Sequence, residues 1–242
     1  MVYDGAYKPV ETITGYATGA IYDDRYDRHG NLYVTDMDNA VVNEYAKGQT
    51  APTFEYTTLV SGPVGVTTDS HDDVYVANYL KGITEYRQQQ NIPIHACTIP
   101  GYAVGVSVAN ADHVFVSFNG FSSGRGGIVE FEHGLNSCKE EVLKATLKGP
   151  YTGKLQVDLQ ENLVVADQES STVDIIAPPY SSITRTIPGC RGPFGVALNK
   201  KNTLLYVACA REVRVDNYPK GTFVKALRGN GVNEPVGVAA YP

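Results

Sequence analysis

Tryptophan is missing from this 242-residue chain and methionine occurs only twice, so the large apolar side chains of any core must come from 17 tyrosines, 7 phenylalanines and the aliphatics. Charge is scarce too: Asp, Glu, Lys and Arg make up 19% of the residues, below the quarter usual in globular domains. No block of Lys or Arg exists and the formal net charge is −6, which argues against electrostatic capture of nucleic acid or an anionic membrane surface. No apolar run approaches the ~18 residues of a membrane-spanning helix, so no membrane insertion is expected. The opening segment MVYDGAYKPVETIT lacks the apolar core of a secretion signal and reads as the middle of a repeat. The numbered chain is therefore expected to be a mature or trimmed form, with an exported (secreted or periplasmic) destination. The four cysteines contain no C-x-x-C pair, which argues against a structural zinc site and leaves three full disulfide pairings, or free thiols, open.

What is present is recurrence. The phrase GPVGVTTDSHDDVYVAN (62–78) returns as GPFGVALNKKNTLLYVAC (192–209) and, more loosely, at 15–36, 101–118 and 149–167, and its opening returns alone at 234–241. Aligning on Gly19, Gly65, Gly105, Gly153, Gly195 and Gly237 gives steps of 46, 40, 48, 42 and 42 residues. Periods of about 40–50 residues with strand-type patterning indicate a propeller built from one four-stranded sheet per repeat. Each repeat opens on an innermost strand at the glycine phrase and turns through an Asp/Asn-rich segment such as DRHG or DSHD, residue types that suit turns. A short apolar second strand follows (NLYVTD, DVYVAN, HVFVSF, NLVVAD, LLYVAC), a pattern that fits burial on both faces. The third strand has an acid–aromatic signature (NEY, TEY, VEF), and an outer strand closes the unit.

The tally of segments is six innermost, five second, six third and six outer strands. The N-terminus supplies a third and an outer strand, and 234–241 supplies an innermost one. The expected fold is therefore all-β, a single six-bladed β-propeller over residues 1–242. Its four-stranded antiparallel blades cover about 15–61, 62–100, 101–148, 149–191 and 192–233. The last blade is shared by 234–242 and 1–14 and is short of one strand. Such an overlap would close the ring and hide sheet edges. The alternative is five closed blades with the end segments as extra edge strands.

Phrases such as GPVGVTTDSHDDVYVAN followed by GITEY resemble NHL-type propeller repeats, and more loosely the gluconolactonase/senescence-marker and virginiamycin-lyase-like propellers. The resemblance covers the whole chain and implies fold more strongly than function, because propellers host binding, scaffolding, lyase and hydrolase roles alike.

In such a ring the innermost strands begin, and the second strands end, around one channel mouth. Asp36, Asn78 and Asp167 end second strands on different blades, and two carboxylates and an amide converging there would suit Ca²⁺ or another hard cation. That set resembles the acid–amide site of gluconolactonase-like propellers but lacks the glutamate which that family's first blade contributes, unless Glu169 or Glu234 substitutes. The competing role for the three is to cap the turn that follows. Tyr16, Tyr79, Tyr102, Phe118, Tyr151 and Phe194 fall near the same mouth, where exposed aromatics would anchor a protein, peptide or glycan; otherwise they pack between blades in place of tryptophan. The five histidines do not converge, and no Ser, His and Asp can be set as a triad. The glycine-rich run GFSSGRGG (120–127) reads as a long loop over the mouth, where binding function often sits. Antiparallel pairing about the 199–202 turn puts Cys209 opposite roughly Gly192, one step from Cys190 and within reach of a disulfide if the loop curls back.

These residues point first to a non-catalytic, monomeric binding or scaffold propeller that needs no cofactor and presents its mouth loops to a protein, peptide or glycan. The second reading is a metal-dependent, lactonase-like hydrolase with a central Ca²⁺.

Overall fold

The computed structural model describes residues 20–110, 113–121, 125–147, 151–229 and 234–241, together with the backbone of two short strands, β1 (Val2–Tyr3) and β2 (Pro9–Glu11). No helix occurs among the described residues. Five four-stranded antiparallel sheets follow one another along the chain. Blade one is β3 (Ile21–Tyr26), β4 (Leu32–Asp36), β5 (Val41–Tyr45) and β6 (Phe54–Tyr56). Blade two is β7 (Pro63–Thr68), β8 (Val74–Asn78), β9 (Gly82–Tyr86) and β10 (Pro93–Cys97). Blade three is β11 (Gly101–Asn110), β12 (His113–Gly120), β13 (Gly127–Phe131) and β14 (Glu141–Val142). Blade four is β15 (Thr152–Val157), β16 (Leu163–Asp167), β17 (Thr172–Ile176) and β18 (Arg185–Pro188). Blade five is β19 (Gly195–Leu198), β20 (Leu204–Cys209), β21 (Glu212–Asn217) and β22 (Thr222–Leu227).

The fold is thus a five-bladed propeller, and the expected sixth blade is corrected. β1 and β2 form a two-stranded sheet of their own. Residues 235–241 carry no strand ladder. They still lie where an innermost strand would, between blades five and one: a Cβ built on Gly195 would sit 2.9 Å from Val236 O, and one on Gly237 would sit 3.2 Å from Asp23 Cα. The missing second strand is the physical reason for the difference. Among the described residues no strand bridges an innermost segment to the paired strands β1 and β2.

The repeated glycine has a steric cause. A Cβ on Gly65 would come within 2.9 Å of Gly105 Cα, and one on Gly105 within 2.9 Å of Lys154 Cα. Innermost strands converge on the axis so closely that only a residue without Cβ fits. Polar side chains complete these contacts between blades. Val66 N–H donates to Asp23 Oδ2 (3.0 Å), Val157 N–H to Ser107 Oγ (3.0 Å), and Leu198 N–H to Gln156 Oε1 (2.8 Å).

The core is a set of layers between neighbouring blades. One joins Tyr75 and Ile83 to Val114 and Phe131; others join Phe115 to Leu163 and Ile176, and Val173 to Val196 and Val207. The second strands β4, β8 and β16 are buried at every position, as their unbroken apolar runs require. Tyrosine takes the expected place of tryptophan: the rings of Tyr33, Tyr56 and Tyr86 line up between blades one and two at 6.3 and 5.4 Å. The acid–aromatic signature also finds its cause. Glu44 accepts from Tyr56 Oη (2.9 Å), and Glu85 accepts from Tyr75 Oη (3.1 Å), so each buried phenol has the partner it needs.

Two disulfides are formed. Cys190–Cys209 closes over the start of blade five, as the register argument allowed, and Cys97–Cys138 ties the outer strand of blade two to the loop after β13. Loops of 19 and 41 residues correspond to about 3 and about 4 kcal/mol of lost chain entropy in the unfolded state. Both bonds fit an oxidising compartment.

Candidate functional site: the axis and its two rims

Register defines the two ends of the ring. Innermost strands begin opposite the ends of second strands, with Pro63 paired to Asn78, Thr152 to Asp167 and Ile21 to Asp36. This edge is the upper rim. The first turns form the lower rim. There Asp27, Asp69 and Asp158 each accept backbone N–H groups two and four residues on. That repeated Asx turn accounts for the DRHGN, DSHDD and DLQEN phrases.

The structure places the three metal candidates at the upper rim, all buried; Asp36 and Asp167 bond into the turn that follows their strand, whereas Asn78 bonds to the segment before β7 and to β9. Asp36 accepts from Asn39 N (3.1 Å) and Asn39 Nδ2 (2.7 Å). Asp167 accepts from Ser170 N (3.0 Å). Asn78 accepts from Ser61 N (2.9 Å) and donates to Thr84 Oγ1 (3.0 Å). Among the described residues no three His, Cys, Asp or Glu side chains group closely enough to hold a metal ion.

The aromatic candidates divide. Tyr79 and Tyr102 stack face to face, centroids 4.7 Å apart and planes 13° off parallel, and Phe121 meets Tyr102 edge-on at 4.7 Å. Phe121 is half exposed at 50%, and Leu80, at the tip of the β8–β9 turn, is 66% exposed. Sequence reasoning missed both residues, although Phe121 lies inside the glycine-rich loop already singled out. Tyr151 is also on the upper rim and 54% exposed. Phe118 is instead buried within blade three, where a Cβ on Gly127 would touch its ring at 3.1 Å. Phe194 turns to the axis, edge-on to Tyr22 at 6.3 Å. Tyr16 lies outside the described residues.

Below that ring pair, the axis is crossed by charge. Lys154 Nζ of β15 lies 2.8 Å from Asp23 Oδ1 of β3, with both side chains at most 2% exposed. The contact is short but not aligned as a directional hydrogen bond, so it acts as an ion pair; the Phe194 ring lies 5.5 Å from the ammonium. Burial pulls the Lys154 pKa down while Asp23 pulls it back up. The half-buried Asp24 carboxyl is raised, first by burial and then by Asp23. One step lower, Arg25 Nη1 donates to Gln156 Oε1 across the axis (3.1 Å). None of these was singled out from sequence. The signal was available: DDR in β3 and GKLQ in β15 put charge or amide where other repeats read VGVT, VGVS or FGVA.

At the lower rim the axis opens into a cavity of about 300 Å³, bounded by residues of blades one, three, four and five and by Ala240.

No protein-family profile and no curated protein matches the chain. Solved structures do match. A chain of the nidogen/laminin complex has a TM-score of 0.72 and 13% identity, covering 90% of this chain and 84% of that one. A virginiamycin B lyase from Staphylococcus aureus, catalytically inactive and with quinupristin, gives 0.68 and 13%, covering 93% and 75%. A streptogramin B lyase gives 0.67 and 11%, covering 91% and 72%. At such identity the likeness shows a β-propeller fold and nothing finer.

Proposed function

We propose that the chain is an exported binding propeller whose upper rim takes an apolar anchor of a peptide or protein segment. The observation that carries this reading is the Tyr79–Tyr102 stack extended by the half-exposed Phe121. Rings already packed against one another form a platform that loses little conformational freedom on binding. The neighbouring Leu80 is apolar and largely exposed, and the upper-rim carboxylates of Asp36 and Asp167 bond into their own turns. Such a surface favours apolar side chains over a sugar, which would need free polar partners around the rings. The two disulfides support the exported placement. The neighbour drawn from a complex of nidogen with laminin shows that this architecture occurs in protein–protein assemblies.

Peptide display on the intact protein tests the reading, with a counter-screen on a Tyr102→Ala/Phe121→Ala variant. Removing two central aromatic anchors is expected to cost about 2 kcal/mol or more, roughly a 30-fold loss. Selected peptides should share an aromatic or aliphatic anchor and lose affinity to that degree. Selected peptides indifferent to the double variant, or glycans captured where peptides fail, would refute it.

A further inference from the structure

Blade five differs from the rest of the ring in charge. Between residues 190 and 229 it holds eight Lys and Arg against two acids, a surplus of six, so the remainder of a chain with net charge −6 carries −12. Both acids are already engaged, Asp216 by Arg214 at 2.8 Å and Glu212 by Arg228 at 2.5 Å. The surplus is carried by exposed side chains on three margins of the blade: Arg191 and Arg211 at the upper rim, Lys200, Lys201 and Lys220 at the lower rim, and Lys225 on the outer strand. Spread along the sequence they form no basic block, and the fold gathers them into one blade. The outer strand of that blade is also unlike its counterparts. β22 has six residues, where β6, β10, β14 and β18 have two to five, and its first four positions are all exposed. Phe223 is 54% exposed and Val224 43%, and the Arg214 guanidinium lies 5.2 Å from the centroid of the Phe223 ring. Among the described residues no strand pairs with the outer edge of β22.

An exposed sheet edge offers backbone N–H and C=O groups to any extended chain. Edge-to-edge pairing with a second copy would bring two blades of like charge together. Lys225 and the ladder skip at Val224 are devices that discourage such self-pairing. An acidic strand meets no charge penalty: its backbone continues the sheet, its apolar side chains cover Phe223 and Val224, and its carboxylates gain the field of the blade. A polyanionic glycan or an anionic lipid surface would leave the backbone edge unused. We propose that the outer edge of blade five binds an extended acidic segment of a partner protein, which adds to β22 as a further strand. This edge is separate from the aromatic platform, which belongs to blades two and three, and its occupancy does not depend on the upper-rim reading.

The probe is a synthetic peptide of about ten residues that alternates Val and Glu, titrated into the labelled intact protein by NMR. Three comparisons accompany it: the same peptide N-methylated at its central residues, dextran sulfate, and phosphatidylglycerol vesicles. The Val/Glu peptide should shift the amides of Thr222–Leu227 saturably, and N-methylation, which removes backbone donors and keeps the charge, should weaken binding about tenfold or more. Lys220→Glu/Lys225→Glu reverses two exposed charges and should weaken the peptide to a similar degree, with the melting temperature near that of the parent. Added salt should weaken the parent's binding more than that of the double variant. The proposal is overturned by equal binding of the N-methylated peptide, by dextran sulfate or vesicles bound where the peptide is not, by shifts centred outside blade five, by binding indifferent to the charge reversal, or by no saturable response.

Discussion

Lys154→Met removes one end of the axial ion pair and leaves the Asp23 carboxylate buried with one hydrogen-bond partner among the described residues, Val66 N–H at 3.0 Å. Both side chains are at most 2% exposed and 2.8 Å apart, so this is a desolvated pair rather than a surface one. Breaking such a pair from one side costs about 3–5 kcal/mol, because the remaining charge stays buried without compensation. In a chain of this length that is a fall in melting temperature of roughly 6–20 °C. Asp23→Asn keeps an acceptor for Val66 but strands the ammonium, whose nearest remaining acid is Asp24. The double variant Lys154→Met/Asp23→Asn carries neither charge and keeps the Val66 bond, so it should recover most of the loss. A double-mutant cycle in urea, with coincident fluorescence and circular-dichroism transitions as the two-state check, measures the coupling. A single-variant cost under about 1 kcal/mol, the scale of exposed pairs, would refute the claim that the axis is closed by a dry ion pair, as would a double variant no better than the worse single.

Two further outcomes follow from the same centre. Gly105→Ala should destabilise by about 1–3 kcal/mol in the same urea assay, since the added Cβ would meet Lys154 Cα at 2.9 Å and backbone cannot swing aside; a neutral effect would mean that the innermost strands are not in contact. Asp24→Asn should raise the melting temperature at neutral pH. The folded-state pKa of Asp24 is raised above 3.8, so the folded state holds a proton that the unfolded chain has released, and stability declines as pH climbs through that window and stays lower above it. Melting curves from about pH 4 to pH 8 should show this slope in the parent and not in the variant, and a variant less stable than the parent at pH 7 would contradict it.

The repeat was legible because each of its features has a local cause. Aspartates at 27, 69 and 158 make Asx turns, apolar runs make strands covered on both faces, and glycines at 65 and 105 answer close approach at the axis. The number of blades was not legible, since it depends on whether 234–241 finds a ladder partner, a pairing between distant ends that no local pattern encodes. At the upper rim, spacing placed Tyr79 and Tyr102 on one edge, and the structure brings their rings together. Spacing could not separate them from Phe118, one pairing step from Tyr102 (opposite Ala103, while Tyr102 faces Asn119) and buried within its own blade, because a one-residue shift turns a strand side chain to the other face. The axial charges were passed over for the opposite reason. Aligning repeats on what they share hides the positions where they differ, and Asp23, Arg25, Lys154 and Gln156 are such departures.

Those departures all join β3 to blades that are not its neighbours along the chain. Tyr22 meets Phe194 at the start of blade five, Asp23 pairs with Lys154 of blade four, and Arg25 bonds Gln156 of the same blade. Blade one therefore has two kinds of attachment: packing against blade two through the tyrosine layer, and contacts that cross the axis. The second kind matters at the seam between blades five and one, where the small cluster of Val213, Leu227, Tyr206 and Val238 replaces the broad layers found between the other blades. The C-terminal segment reaches blade one at the seam through Tyr241, whose ring meets Tyr26 at 5.3 Å. A ring whose last segment forms no sheet needs its first blade held from the inside. The charged contacts across the axis do this.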